Sequence, residues 1–349
     1  MFELGALRVP IVQAPMAGGP STPQLAAAVS NAGGLGFLAA GYRSAGNLRA
    51  EVLRTRELTS RPFGVNLFLL AEAAIDAERL AAYAGELAGE AQRRGVAAGE
   101  PRFDDDELAA KLAVVAELRV PVVSFTFGCP AADQVNALHD HGIAVWVTVT
   151  EPDEGEQADR AGADALIAQG VEAGGHRGSF ADTDGHGELS VLPLLRLLAT
   201  VTDRPLIASG GIADGAGIAA ALAAGARAVQ VGTGFMRARE AGTAPAHREA
   251  LAQERPTAVT RAFTGRRARG IVNAFMRDHD NAPSAYPHVH HLTAPLRAAA
   301  RQAGDAEGVN LWAGEAHLLA QERPAAELVR RWYEEARGAL DQAKARLGG

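Results

Sequence analysis

A single cysteine, Cys129, stands in a chain of 349 residues. No disulfide can therefore form within the chain, and a reducing cytoplasm is its expected setting. No stretch reaches the ~18 uninterrupted apolar residues that a membrane-crossing helix needs, so no membrane span is expected. Met1 to Pro10 lacks the basic start and apolar run of a secretory signal. Positive charge is in the minority: 34 Lys and Arg against 41 Asp and Glu give a net charge of −7. That balance argues against a nucleic-acid partner, which needs a basic face. No GxGxxG follows the first apolar run, so a Rossmann dinucleotide site is not supported.

Hydrophobic residues are plentiful, at 48% of the chain, and a sizeable packed core is expected. Short runs rich in Val, Ile, Leu and Phe alternate with Ala-rich helical stretches, the pattern of βαβ units around a buried parallel sheet. Strands are expected at Val9–Pro15, Leu35–Ala40, Phe63–Phe68, Pro121–Phe127, Ala144–Val149, Ala165–Gln169, Pro205–Ser209 and Ala228–Gly232. Eight such units before residue 240 suit an α/β fold of the (β/α)8 TIM-barrel type, with an open doubly wound sheet as the alternative.

Two segments exceed the minimal barrel. Ala71 to Leu118, after the third strand, reads as a helical insertion. Its polar patch Gly99–Asp106 is expected to hold an Asp N-cap for the second helix, and Asp104–Glu107 reads as a solvated helix start. Residues 241–349 read as a mostly helical C-terminal segment packing over the barrel mouth as a lid or subdomain, with 1–240 as the barrel.

Functional groups in such a barrel sit at the C-terminal ends of strands. Gly210-Gly211 and Gly232-Thr233-Gly234 fall after strands seven and eight, where backbone N–H groups can approach a phosphate. Ala173-Gly174-Gly175-His176, after strand six, would bring backbone near a flat ligand and present one imidazole. Its neighbours Glu172 and Arg177 read as solvated. His288-Val289-His290-His291 invites a metal reading, but no acidic partner or helical His spacing supports one, and no metal is expected. Cys129 lies at a helix start that would stabilise a thiolate, yet no His or Asp neighbours it in sequence.

Taken together, Gln13-Ala14-Pro15-Met16, Ala32–Gly36, Pro62–Asn66, Glu172–His176 and Val229–Thr233 resemble the nitronate monooxygenases, formerly called 2-nitropropane dioxygenases. The resemblance runs end to end. These core motifs are shared with flavin-dependent enoyl-ACP reductases. Val123–Gly128, His176–Phe180, Tyr286–Leu292 and Asn310–Gly314 resemble the monooxygenases alone.

The resemblance implies FMN as cofactor, contacted by Asn66, Gln169, Gly174, Gly211, Gln230, Val231, Gly232 and Thr233. It places Met16 by the isoalloxazine and His176 against the substrate; Gly175 joins the cofactor set through its loop. The implied reaction oxidises an alkyl nitronate, such as propionate 3-nitronate, with O2 to a carbonyl compound and nitrite. An NADH-dependent enoyl reductase and a non-catalytic flavin- or phosphate-binding barrel are the alternatives. His176 has two open roles, base for a neutral nitroalkane or hydrogen-bonding partner of the bound anion. The lack of a sequence-adjacent carboxylate to tune the ring favours the second.

Overall fold

Each expected apolar run becomes a parallel strand in a computed structural model that describes residues 1–348. In chain order the strands are β1 (Ile11–Gln13), β2 (Gly36–Ala39), β3 (Phe63–Phe68), β4 (Val122–Thr126), β5 (Ala144–Val149), β6 (Ala165–Gln169), β7 (Gly175–His176), β8 (Leu206–Ser209), β9 (Ala228–Val231), β10 (Thr257–Thr260) and β11 (Ala268–Ile271). Eight of them pair in the order β1-β9-β8-β6-β5-β4-β3-β2. A parallel bridge between Val12 and Leu35 then brings the β2 edge back to β1 and closes the barrel. The Gln13 N–H donates to the Leu35 carbonyl at 2.8 Å across that seam. A doubly wound sheet has two open edges, so closure removes that alternative.

The helices in order are α1 (Pro23–Asn31), α2 (Ala45–Leu58), α3 (Ala77–Glu86), α4 (Ala88–Arg94), α5 (Leu108–Glu117), α6 (Ala132–Asp140), α7 (Pro152–Ala161), α8 (Val191–Leu198), α9 (Gly215–Ala223), α10 (Pro245–Ala250), α11 (Ala274–Asp278), α12 (His288–Gln302) and α13 (Ala325–Arg346). Both faces of the barrel strands are buried, which is why they read as continuous apolar runs instead of alternating ones. Inside, Phe37, Trp146, Ile167 and Ile207 interlock, and Phe2, Leu4 and Leu7 pack against them. Among the described residues, no helix is long and apolar enough to cross a membrane.

The insertion differs from its sequence reading. No Asp caps α5; its N-cap is Glu107 in the left-handed region, with no side-chain cap bond. The acidic run does other work than solvate a helix start. Asp106 lies 2.7 Å from the ammonium of Lys111, which is 1% exposed, and accepts from the Tyr42 N–H at 2.9 Å. Glu107 accepts from the Ala45 N–H, at the start of α2. A buried lysine requires such a partner.

The tail also differs. It contributes the antiparallel pair β10–β11, extended by β7, so His176 is held in a small sheet made largely by the tail. Helix α13 packs against α9 and α1, with Trp332 edge-on to Phe235 at 4.9 Å. That helix belongs to the outer ring of the barrel and does not cover its mouth.

Candidate active site

The C-terminal ends of the barrel strands open into a cavity of about 510 Å³. It gathers Met16, Asn66, Gln169, Gly174, Gly175, His176, Gly211, Gln230, Gly232 and Thr233 from five barrel-strand ends or the loops after them. Val231 does not line it; its side chain points outward into the core beneath α9 and α13.

The loops after β8 and β9 form the most distinctive wall. The N–H groups of Gly210, Gly211, Ile212, Ala213 and Gly232 donate to no carbonyl among the described residues. Unpaired backbone donors are rare inside proteins, and a group of them facing one cavity forms an anion-binding surface. Beside them the Gln230 side chain is 6% exposed, and its Oε1 has no hydrogen-bond partner. A buried acceptor left unpaired calls for a donor from a ligand. Asn66 shows the complementary arrangement: its Nδ2 is committed to Ser124 and Thr126, and its Oδ1 accepts nothing from the protein.

The β6–β7 segment is braced from within. Gln169 Nε2 donates to the His176 carbonyl at 3.1 Å, and its Oε1 accepts from the Gly178 N–H at 2.8 Å. Arg177 is not solvated but buried, and donates to the carbonyls of Gln169, Gly170 and Gly187. Glu172 accepts from the Val191 N–H, at the start of α8. These two flanking charges therefore set the shape of the loop.

His176 projects from this brace among the rings of Phe127, Tyr286 and Trp312, all within 5.7 Å of its centroid. Its Nε2 lies 2.9 Å from Thr264 Oγ1. Burial, and then the nearby cations Arg266 and Arg297, push its pKa down to about 3, so the ring is neutral at physiological pH. Arg266 lies 4.3 Å over the Phe127 ring, and Arg297 donates to the His290 carbonyl and to Thr293. Burial lowers the pKa of Arg297 to about 10. It remains a cation with no carboxylate partner among the described residues, in a cavity large enough for a small anion.

Tyr42 completes the wall. It stacks on His290 at 4.3 Å with ring planes 3° apart, and its hydroxyl accepts from that of Tyr286 at 3.1 Å. His290 Nδ1 lies 3.2 Å from the Arg297 guanidinium, a cation that occupies the direction a metal would need. No group of three or more metal-ligating side chains occurs among the described residues. Burial pushes the Cys129 thiol up to about 11, so it is protonated and no thiolate is stabilised at this helix start.

Tyr42, Thr264, Arg266 and Arg297 went unrecognised in the sequence. The strand-end rule itself points to Tyr42, which follows β2. The two arginines carry no local signal, because they look like the solvated charges of a polar tail.

The chain matches the family described as nitronate monooxygenase over residues 3–335. It is 43% identical to a nitronate monooxygenase from Pseudomonas aeruginosa, over 96% of this chain and 98% of that one. A nitronate monooxygenase from Paraburkholderia phytofirmans is 41% identical, over 99% and 96%. Among solved structures, nitroalkane oxidase from Streptomyces ansochromogenes superposes with a TM-score of 0.95 at 48% identity, covering 97% of this chain and 99% of that one. FabK from Thermotoga maritima gives 0.74 at 28% identity, covering 98% of both chains.

Proposed function

This chain belongs to the nitronate monooxygenase family, a family of flavin enzymes, and we propose that it holds FMN in the 510 Å³ cavity while oxidising alkyl nitronates with O2 to carbonyl compounds and nitrite. The observation that carries the cofactor assignment is the set of unpaired N–H groups at Gly210–Ala213 and Gly232. They suit one terminal phosphate, as expected of the loops after the last two barrel strands. Gly211, Gly232 and Thr233 would hold that phosphate. Asn66, Gln169 and Gln230 would meet the polar edge of the ring system, Met16 would lie against it, and Gly174 and Gly175 would give it room. FMN supplies, when bound, the one-electron oxidation that nitronates require.

The remaining residues bind and orient the substrate. Arg297 offers a nitronate a buried cation, worth more there than in water. Phe127, Tyr286 and Trp312 exclude water around the reacting carbon. His176 stands within the same aromatic box as a neutral imidazole. The single-cysteine composition supports a reducing compartment, such as the cytoplasm, as the setting for this work.

Protein purified from cells is expected to be yellow and to release FMN, not FAD, on denaturation, identified by chromatography of the supernatant. Release of FAD, or a colourless protein that takes up no added FMN, would overturn the cofactor assignment.

A further inference from the structure

Three charged side chains line the main cavity besides its histidines: Arg297, Arg301 and Asp305. Asp305 is already neutralised by Arg94, whose Nη2 lies 2.9 Å away. The two arginines sit four residues apart on α12, hence one turn apart on the same helical face. Arg297 is 8% exposed and deep in the cavity, whereas Arg301 is exposed at its rim. Neither has a carboxylate within 4.0 Å among the described residues. Beyond the Tyr42–His290 stack, a separate pocket of about 250 Å³ is lined by Asp104, Glu107 and Arg43, together with Asp106, which Lys111 pairs. The molecule as a whole carries a net charge of −7, which repels an approaching anion. Along the cavity rim that sign is locally reversed.

Resting on the nitronate reading above, we propose that Arg301 and Arg297 form a two-step electrostatic inlet that draws anionic nitronates into the cavity and gives neutral nitroalkanes no advantage. Arg301 meets the anion in solvent, where its long side chain keeps the guanidinium hydrated. One turn further in, Arg297 receives the anion in a medium that screens it less. No opposing carboxylate holds either guanidinium, so the charge is available without first breaking an ion pair. Selectivity between the two protonation forms of one nitro compound is then set in part at the rim, outside the reacting geometry.

The test uses flavin-loaded enzyme and a matched pair of substrates, a nitroalkane and its preformed nitronate. At low ionic strength, Arg301→Gln is expected to lower kcat/KM for the nitronate by about threefold and Arg301→Glu by about tenfold, the size expected of one or two unit charges near the path. In 1 M NaCl, where the Debye length is about 3 Å, both variants should come within about twofold of wild type. Turnover of the neutral nitroalkane should be unchanged at either salt concentration. Calorimetric titration with nitrate, an inert planar anion, reads the same charge effect without turnover, and Arg301→Glu should weaken it about tenfold at low salt. Equal losses on both substrates, a loss that persists in 1 M NaCl, or no change in nitrate binding would overturn the inlet. Wild-type enzyme that binds nitrate in this salt-dependent way but releases no nitrite from nitronates would instead overturn the nitronate reading.

Discussion

Replacing His176 with Asn is expected to cut turnover of neutral nitroalkanes by about 10²-fold while sparing preformed nitronates to within about threefold. Thr264 is 2% exposed, and its hydroxyl donates to the Arg266 carbonyl at 3.3 Å. A hydroxyl has one hydrogen, and with it on the Arg266 carbonyl, Thr264 Oγ1 is left to accept, an arrangement that favours the tautomer with the proton on His176 Nε2, 2.9 Å away. In that tautomer Nδ1 carries the lone pair and can take a proton from carbon. The sequence reading favoured anion binding for want of a tuning carboxylate; this arrangement favours the base, and the two roles differ in the kinetics of the variant. Burial and then the cations Arg266 and Arg297 keep the imidazole unprotonated, and Arg297 is the group proposed above to meet the anion. A pKa near 3 also makes the ring a weak base, which places the loss at the lower end of the 10²–10⁴ range for general bases. Because the ring is already neutral, its contribution should not vary between pH 5 and 8. Steady-state kcat and KM on both substrate forms measure the effect. A raised KM for the nitronate, with the neutral substrate equally affected, would return His176 to the anion-binding role.

Gly232→Val is expected to give a folded protein that has lost its flavin. The φ of Gly232 is −102°, outside the left-handed region that favours glycine. An added Cβ would meet only Ala14 Cβ at 3.4 Å and Met16 Sδ at 3.9 Å, ordinary contacts. Nothing in the polypeptide therefore demands glycine here; close approach of an anion to the backbone does. Each charge-assisted bond lost is worth about 1.5–3 kcal/mol, so flavin affinity should fall by at least tenfold and by ~10²-fold if one strong bond goes. Gly174 is the contrasting control. A Cβ there would lie 2.5 Å from the backbone of Ala313 and Gly314, so Gly174→Val should damage the fold itself. Flavin fluorescence after gel filtration, read beside thermal unfolding of the flavin-free proteins, separates the two. A Gly232→Val enzyme that retains its cofactor like wild type would move the phosphate site elsewhere.

The barrel was legible because burial on both faces turns a parallel strand into an unbroken apolar run, as in Phe63–Phe68 and Ala144–Val149. Strand ends then located the glycine loops, His176, Asn66 and Gln230. Residues whose partners are remote in sequence were not legible. Thr257–Thr260 and Ala268–Ile271 are short and partly polar, and β7 has only two residues, so pairing alone makes them strands. Asp106 looked solvated because nothing local reveals that the tertiary fold buries its partner Lys111. Arg177, Arg266 and Arg297 were hidden for the same reason: a charge reads as surface until the fold supplies carbonyls, rings or a cavity around it.

The central claim, that this barrel oxidises nitronates, is tested most directly by assaying nitrite release from a preformed alkyl nitronate, including propionate 3-nitronate, with flavin-loaded protein in air. Nitrite and the matching carbonyl compound should accumulate together with O2 uptake and with no need for NADH. No nitrite from any nitronate, together with NADH consumption on an enoyl thioester, would contradict the account and make the chain a reductase.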